Sequence, residues 1–77
     1  MGLNTIIGHL METTTDLNYR TLSNLDNQGV SPHELAEECR RRGWRCMQLG
    51  DRVHIAKTDR ALAEFRASHP KGSYVEL

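Results

Sequence analysis

Residues 44–57 decide the fold and read WRCMQLGDRVHIAK. Apolar and polar residues alternate on both sides of Gly50 and Asp51, which is typical of two strands joined by a tight turn. Glycine at the first of two loop positions fits a type II′ turn, whose twist matches that of the flanking strands. The stretch therefore predicts a β-hairpin, and it is the only sheet surface that the sequence strongly indicates.

The two-residue turn fixes the register of the hairpin and the face that each side chain takes. The predicted pairs are Leu49 with Arg52, Gln48 with Val53, Met47 with His54, Cys46 with Ile55, and Arg45 with Ala56. One face, expected in the core, carries Trp44, Cys46, Gln48, Val53 and Ile55. The opposite face, the outer hairpin face, carries Arg45, Met47, Leu49, Arg52, His54 and Ala56.

A capped helix is predicted before the hairpin. Ser31 is a favourable N-cap residue, Pro32 suits the first helical position, and Glu34 completes a capping box. Gly43 ends this helix. Its inward face is expected to carry Leu35, Ala36 and Cys39.

A second helix is predicted after the hairpin, from a cap at Thr58 or Asp59 to about Ser68, before Pro70. Its inward residues are expected to be Ala61, Leu62 and Phe65. The segment 73–77 is strand-like at its centre. It either adds a third strand to the hairpin or frays.

Two apolar runs precede these elements. Residues 3–12 predict a helix with Leu3, Ile6, Ile7 and Leu10 on one face. Three consecutive threonines, residues 13–15, then favour a break. Residues 16–27 predict a further helix with Leu17, Thr21, Leu22 and Leu25 on one side. Alternatively, both runs form one kinked helix whose apolar stripe pairs with a second chain to make a homodimer.

These elements predict a single small α+β domain over residues 1–77. It has helical N-terminal segments over 1–29, a helix-hairpin-helix unit over 31–69 and a tail over 70–77. A chain of 77 residues buries only about 60% of the surface that its unfolded form exposes. With a mean hydropathy of −0.60 and four aromatic residues, the core must be small and mostly aliphatic. Little room is left for a deep catalytic pocket.

Charge is unevenly distributed although ten basic and ten acidic residues cancel. Residues 1–36 hold one basic and four acidic residues, whereas residues 37–77 hold nine basic and six acidic ones. Five arginines gather around the hairpin and the helix before it: Arg40, Arg41, Arg42, Arg45 and Arg52. Guanidinium groups suit both carboxylates and phosphates, so an acidic protein surface and nucleic acid are both candidate partners.

The outer hairpin face adds Met47, Leu49 and His54 to these arginines. A small apolar patch with a basic rim is typical of a protein contact surface. The alternative is that one of the helices covers Met47 and Leu49.

No catalytic, metal or cofactor signature is present. The residues most often found at metal sites, His33, Cys39, Cys46 and His54, are six, seven and eight residues apart, which matches no compact zinc motif. We expect two buried thiols and two surface imidazoles, no cofactor and no enzymatic activity. Two cysteines, no signal-peptide pattern and no apolar run of about 20 residues favour the cytoplasm and no membrane contact.

Two resemblances follow from longer stretches. Residues 28–42, QGVSPHELAEECRRR, resemble the turn and second helix of helix-turn-helix proteins at Gly29, Val30, Ser31 and Leu35. The sequence departs from that pattern at Leu25 and Glu38. Three helices before a hairpin would look like a winged helix. That resemblance implies DNA binding, with phosphate contacts from Arg42, Arg45, Arg52 and Lys57.

The second resemblance covers residues 34–67. A helix, the segment RRGWR, the GDRV hairpin and a short helix look like the small docking domains at the start of some peptide synthetase subunits. The resemblance implies that an exposed hairpin captures a partner's tail.

The sequence thus predicts a small non-enzymatic protein-binding module, an adaptor or inhibitor of a larger assembly with an acidic partner surface. Contact is expected through side chains of the outer hairpin face or by strand addition at a hairpin edge. The predicted partner-binding residues are Arg45, Met47, Leu49, Arg52 and His54, with Arg41 and Arg42 as the rim. A winged-helix DNA-binding regulator is the alternative, and a docking domain or enzyme accessory is the third hypothesis.

Overall fold

The computed structural model describes residues 3–77, apart from the side chains of residues 4, 9 and 10. In chain order the elements are helix α1 (an α-helical turn Leu3–Thr5 continued by a π-helical segment Ile6–Leu10), strand β1 (Arg20–Leu22), a 3₁₀ turn (Asp26–Gln28), helix α2 (Pro32–Arg41), strands β2 (Arg45–Leu49) and β3 (Arg52–Ala56), helix α3 (Asp59–Ser68) and strand β4 (Val75–Glu76). The predicted α+β class is confirmed.

The hairpin β2–β3 lies at the centre of a four-stranded antiparallel sheet with the order β1-β3-β2-β4. All five predicted pairs between β2 and β3 are present. Gly50 has a φ angle of 62°, the left-handed conformation that glycine adopts without strain. The turn therefore sets the predicted register, and β1 and β4 then pair with the outer edges of the hairpin.

One face of the sheet packs against α1 and α2 and forms the first core. Its hairpin members are Cys46, Val53 and Ile55, as predicted. From the remaining elements it contains Ile6, Ile7, Met11, Leu22, Leu25, Val30, Leu35, Ala36 and Cys39. Trp44 is half-buried and packs against this core. The predicted inward face of α2 is confirmed, whereas the side chain of Leu10 lies outside the described part of the chain.

Helix α3 packs on the outer hairpin face and forms the second core, which consists of Met47, Ala56, Ala61, Leu62 and Phe65. The prediction that the outer hairpin face is open is therefore wrong, and the alternative that a helix covers Met47 holds. Only two residues separate β3 from α3, so the apolar stripe of the helix folds straight back onto the nearest sheet face. His54 is also buried there, while Leu49 is half-buried and Arg52 remains exposed.

Both ends of α2 are closed by local hydrogen bonds. The Ser31 hydroxyl accepts the Glu34 amide at 3.1 Å, and the Glu34 carboxylate accepts the Ser31 amide at 3.2 Å, which confirms the capping box. At the other end Gly43, with φ 78°, donates to the carbonyl of Arg40, and Trp44 donates to that of Cys39 at 2.8 Å. This Schellman arrangement leads the chain directly from α2 into β2.

The helix predicted over residues 16–27 is wrong, and so is the single kinked helix. Strand β1 and the 3₁₀ turn lie there instead. Leu22 pairs with Val53 on the edge of β3, and Asn24, with φ 57°, lies outside the helical region. Leu22 and Leu25 enter the first core whereas Leu17 is 53% exposed, so the continuous stripe expected for a homodimer is not formed.

The end of the described chain follows the prediction. The Thr58 hydroxyl accepts the Ala61 amide at 3.1 Å and caps α3, whose three inward residues are buried. The strand predicted near the end of the chain is β4, which pairs with the free edge of β2. It is the fourth strand rather than the third because β1 also joins the sheet.

The covered outer hairpin face predicts a large difference between two apolar truncations. Met47→Ala is expected to lower the free energy of unfolding by about 2–5 kcal/mol, because it leaves a cavity in a closed core. Leu17→Ala, at an exposed position, should change it by no more than about 0.5 kcal/mol. Urea denaturation followed by Trp44 fluorescence measures both.

Met47→Leu conserves the side-chain volume and should lower the free energy of unfolding by less than about 1.5 kcal/mol. It therefore distinguishes a loss of packing from a general intolerance of substitution at this position. Equal, small effects of Met47→Ala and Leu17→Ala would mean that α3 leaves the outer hairpin face open.

Candidate binding surface

The arginine cluster consists of Arg40, Arg41, Arg42 and Arg45, all of them exposed. The turn at Gly43 joins the last turn of α2 to the first residue of β2, so the four residues lie close together in the chain at one corner of the molecule. Arg45 is on the sheet face that α3 covers, and the other three arginines are at the end of the helix that covers the opposite face. Arg52 does not belong to this group. It lies at the hairpin turn, four residues along β3 from Ala56, the partner of Arg45, which is about 13 Å at 3.3 Å per residue.

Glu38 neutralises part of the arginine cluster. Its carboxylate accepts a hydrogen bond from Nε of Arg42 at 3.1 Å and pairs with Nη2 of Arg41. Among the residues that the structure describes, Arg40 and Arg45 form no ion pair. Their guanidinium groups are therefore available to carboxylates from outside the chain.

Trp44 lies beside the arginine cluster, and two cations lie close to its ring. The guanidinium carbon of Arg42 is 5.5 Å from the indole centroid, and Nζ of Lys57 is 5.7 Å from it. Lys57 also donates to the main-chain carbonyls of Met11 at 3.1 Å and Thr14 at 3.4 Å. These contacts restrict the ring, whose accessible part adds an aromatic surface to the arginine cluster.

This corner of the molecule carries a net positive charge and a shallow depression. Arg40, Arg41, Arg42, Arg45 and Lys57 contribute five positive charges, and Glu37 and Glu38 contribute two negative ones, which leaves +3. A shallow depression of about 370 Å³ lies between Glu37, Arg40 and Arg41. The corner is thus basic, exposed and indented.

The two cysteines contact each other inside the first core, and both are free thiols. The hydrogen bond that the Cys39 thiol donates to Cys46, reinforced by burial, raises the pKa of Cys39 far above its usual range. The same hydrogen bond lowers the pKa of Cys46, against the effect of its burial. The expectation of two buried thiols is confirmed, and Cys39 stays protonated.

His54 is 4% exposed, so the expected surface imidazole is wrong at this position. Its Nδ1 atom lies 2.9 Å from the Thr21 hydroxyl, and its ring lies 5.0 Å from that of Phe65 and 5.4 Å from that of His69. Burial, followed by the charges of His69 and Arg52, lowers the pKa of His54. Its Nε2 atom has no hydrogen-bond partner among the described residues. The neutral ring is therefore part of the interior.

Three of the seven residues predicted to contact a partner lie together in the arginine cluster, namely Arg41, Arg42 and Arg45. Leu49 and Arg52 lie at the opposite end of the hairpin, and Met47 and His54 are buried and not accessible on the free surface. The predicted binding residues did not include Arg40, and Trp44 was predicted only as a core residue. Both could have been identified from the sequence, because Arg40 belongs to the run of three consecutive arginines and Trp44 directly follows Gly43, which ends the helix.

Two further features bear on the class of protein. In the described part of the chain, no group of three or more His, Cys, Asp or Glu side chains is placed to hold a metal ion. None of the helices within residues 3–77 has the length and apolar character needed to cross a membrane.

The lowered pKa of His54 predicts that acid destabilises the fold. Below the usual histidine pKa of about 6.5 the unfolded chain binds a proton that the folded chain does not, so stability falls as pH decreases toward the folded pKa. Urea denaturation at pH 7.5, 6.5 and 5.5 should show this loss in the wild type and in His33→Gln, a change at an exposed histidine.

His54→Gln should flatten this pH dependence, whatever its effect on stability at pH 7.5. A pH profile of His54→Gln as steep as that of the wild type would assign the acid sensitivity to other groups.

Protein-family models, curated proteins and solved structures were each compared with the chain, and none of them matches.

Proposed function

We propose that this chain is a small non-enzymatic module that binds an acidic surface of a partner protein, as an adaptor or inhibitor of a larger assembly. The observation that carries the proposal is the pair Arg40 and Arg45, which are both exposed, form no ion pair among the described residues and flank the half-buried Trp44 in the chain. The contact surface is the arginine cluster together with Trp44.

The chemistry of these residues supports a protein partner. Arginine and tryptophan are the residue types most enriched among the few side chains that dominate binding energy at protein interfaces. A guanidinium group binds a carboxylate through two parallel hydrogen bonds, which gives direction as well as attraction. Trp44 is already held by Arg42 and Lys57, so binding would lose little of its side-chain entropy.

DNA is the weaker candidate on the same residues. Of the four side chains proposed for phosphates, Arg42 is paired with Glu38, Lys57 is occupied by two carbonyls, and Arg52 lies at the far end of the hairpin. The segment before α2 is a strand and a 3₁₀ turn rather than the helix that a helix-turn-helix requires. Glu37 and Glu38 also lie at this corner and repel phosphates.

A non-enzymatic role in the cytoplasm agrees with the interior of the molecule. Cys39 is a protonated thiol in a closed core, which is the state of an inert structural cysteine. His54, the histidine of the hairpin, is enclosed by rings and has no access to a substrate. Two free thiols in contact are also what a reducing compartment maintains.

The arginine cluster predicts loss of partner capture on charge reversal. In capture from a nuclease-treated extract of the source cells, we expect the double variant Arg40→Glu/Arg45→Glu to bind at least about 10-fold less of the partner than the wild type does. The reason is that each lost charged hydrogen bond is worth about 1.5–3 kcal/mol. Quantitative mass spectrometry of the captured proteins measures the loss.

The matched control is Arg60→Glu, which changes an exposed arginine of α3 that forms no ion pair among the described residues. A partner held equally by the wild type, Arg60→Glu and the double variant would place the contact elsewhere. Tight, steeply salt-dependent binding of a mixed-sequence DNA duplex that the double variant loses would favour the DNA alternative.

A further inference from the structure

Strand β4 is the outermost strand of the sheet beside β2. It pairs with β2 through Gln48 with Val75 and Met47 with Glu76. Among the described residues no strand pairs with its other edge. An unpaired edge presents main-chain N–H and C=O groups to any extended segment that approaches it.

The hydrogen-bond pattern identifies which groups of β4 point outward. The Leu77 amide donates to the Cys46 carbonyl at 2.9 Å, so these two residues form a hydrogen-bonded pair. Such pairs alternate along an antiparallel ladder. Val75 therefore also directs its main-chain groups toward β2, whereas Glu76 directs its amide and carbonyl toward the free edge.

A groove of about 700 Å³ opens beside this edge. Its walls are Arg66 and His69 from the end of α3, Lys71 and Gly72 from the turn, and Tyr74 and Glu76. The side chains of Tyr74 and Glu76 both line the groove, as expected for residues two positions apart in an extended segment. Val75 points to the opposite face and is 64% exposed.

The groove has an aromatic base and a basic wall. The His69 ring stacks on Phe65 at 4.3 Å, and Tyr74 meets Phe65 edge-on at 4.8 Å. Arg66 is neutralised by Glu76 at 2.8 Å, while Lys71 has no ion pair among the described residues. The unbalanced charge in the groove is therefore positive.

We infer that the free edge of β4 binds an extended segment of another protein that carries a carboxylate side chain. The segment adds a fifth strand, exchanging main-chain hydrogen bonds with the outward amide and carbonyl of Glu76. Its residue opposite Tyr74 places the carboxylate in the groove near Lys71, three residues away in the chain, and an apolar neighbour covers Val75.

Two observations restrict the occupant. Glu76 is already paired with Arg66, whereas Lys71 forms no ion pair in the described part of the chain, so the acidic position is the one opposite Tyr74, which is nearer to Lys71 in the chain. A second copy of this chain is a poorer match, because the carboxylate on its own β4 is Glu76, which already pairs with Arg66. This site shares no residue with the arginine cluster and goes beyond the proposed function.

The site can be tested with a phage-displayed library of random heptapeptides selected on the immobilised full chain. Glu76→Pro removes the outward amide but leaves the hydrogen bonds of β4 to β2, since proline is tolerated on a strand edge. Glu76→Gln is the matched control, because it keeps the amide and loses the same ion pair. We expect selected peptides to be rich in Asp or Glu and to bind Glu76→Pro at least roughly 10-fold more weakly than Glu76→Gln.

Lys71→Glu should weaken the same peptides by a similar factor, whereas Arg40→Glu/Arg45→Glu should bind them like the wild type. The inference is wrong if no peptide is enriched, if the enriched peptides carry no excess of carboxylates, or if Glu76→Pro binds them as Glu76→Gln does. Self-association that Glu76→Pro abolishes in sedimentation velocity would assign the edge to a second copy instead.

Discussion

The register of the β2–β3 hairpin is the constraint from which the remaining contacts follow. With Gly50 and Asp51 in the turn, Val53 and Ile55 face one side of the sheet, and Met47, His54 and Ala56 face the other. Both sides are apolar enough to require a cover, which α1 and α2 supply on one side and α3 on the other. A shift by one residue would exchange the two sets and leave each helix facing the wrong side chains.

Elements encoded by neighbouring residues could be predicted from the sequence. The capping box at Ser31, the glycine stop after α2 and the hairpin turn each involve contacts within a few residues, so their signals lie in one short window. Strand β1 could not be predicted in this way. The spacing of Leu22 and Leu25 fits a helix face equally well, and the choice is made by β3, some thirty residues away in the chain.

The same distinction between local and distant contacts applies to the candidate surface. Arg40, Arg41, Arg42 and Arg45 fall within six residues, and their clustering could be predicted because it follows from chain proximity. The burial of Met47 and His54 could not, because it depends on where α3 packs. The groove beside β4 combines the end of α3 with a strand of two residues, and no pattern of residues in the sequence brings these together.

Strand β3 separates the two cores, and four consecutive side chains, from Val53 to Ala56, are buried alternately in one and then the other. At the buried positions of such a strand, a bulkier residue or a polar one without a hydrogen-bond partner would be tolerated poorly. Sequence drift in related chains should therefore be confined to the outer helix surfaces, the turns and the sheet edge. Because the arginine cluster and the β4 groove both lie on those surfaces, the two proposed contacts could diverge while the fold stays constant.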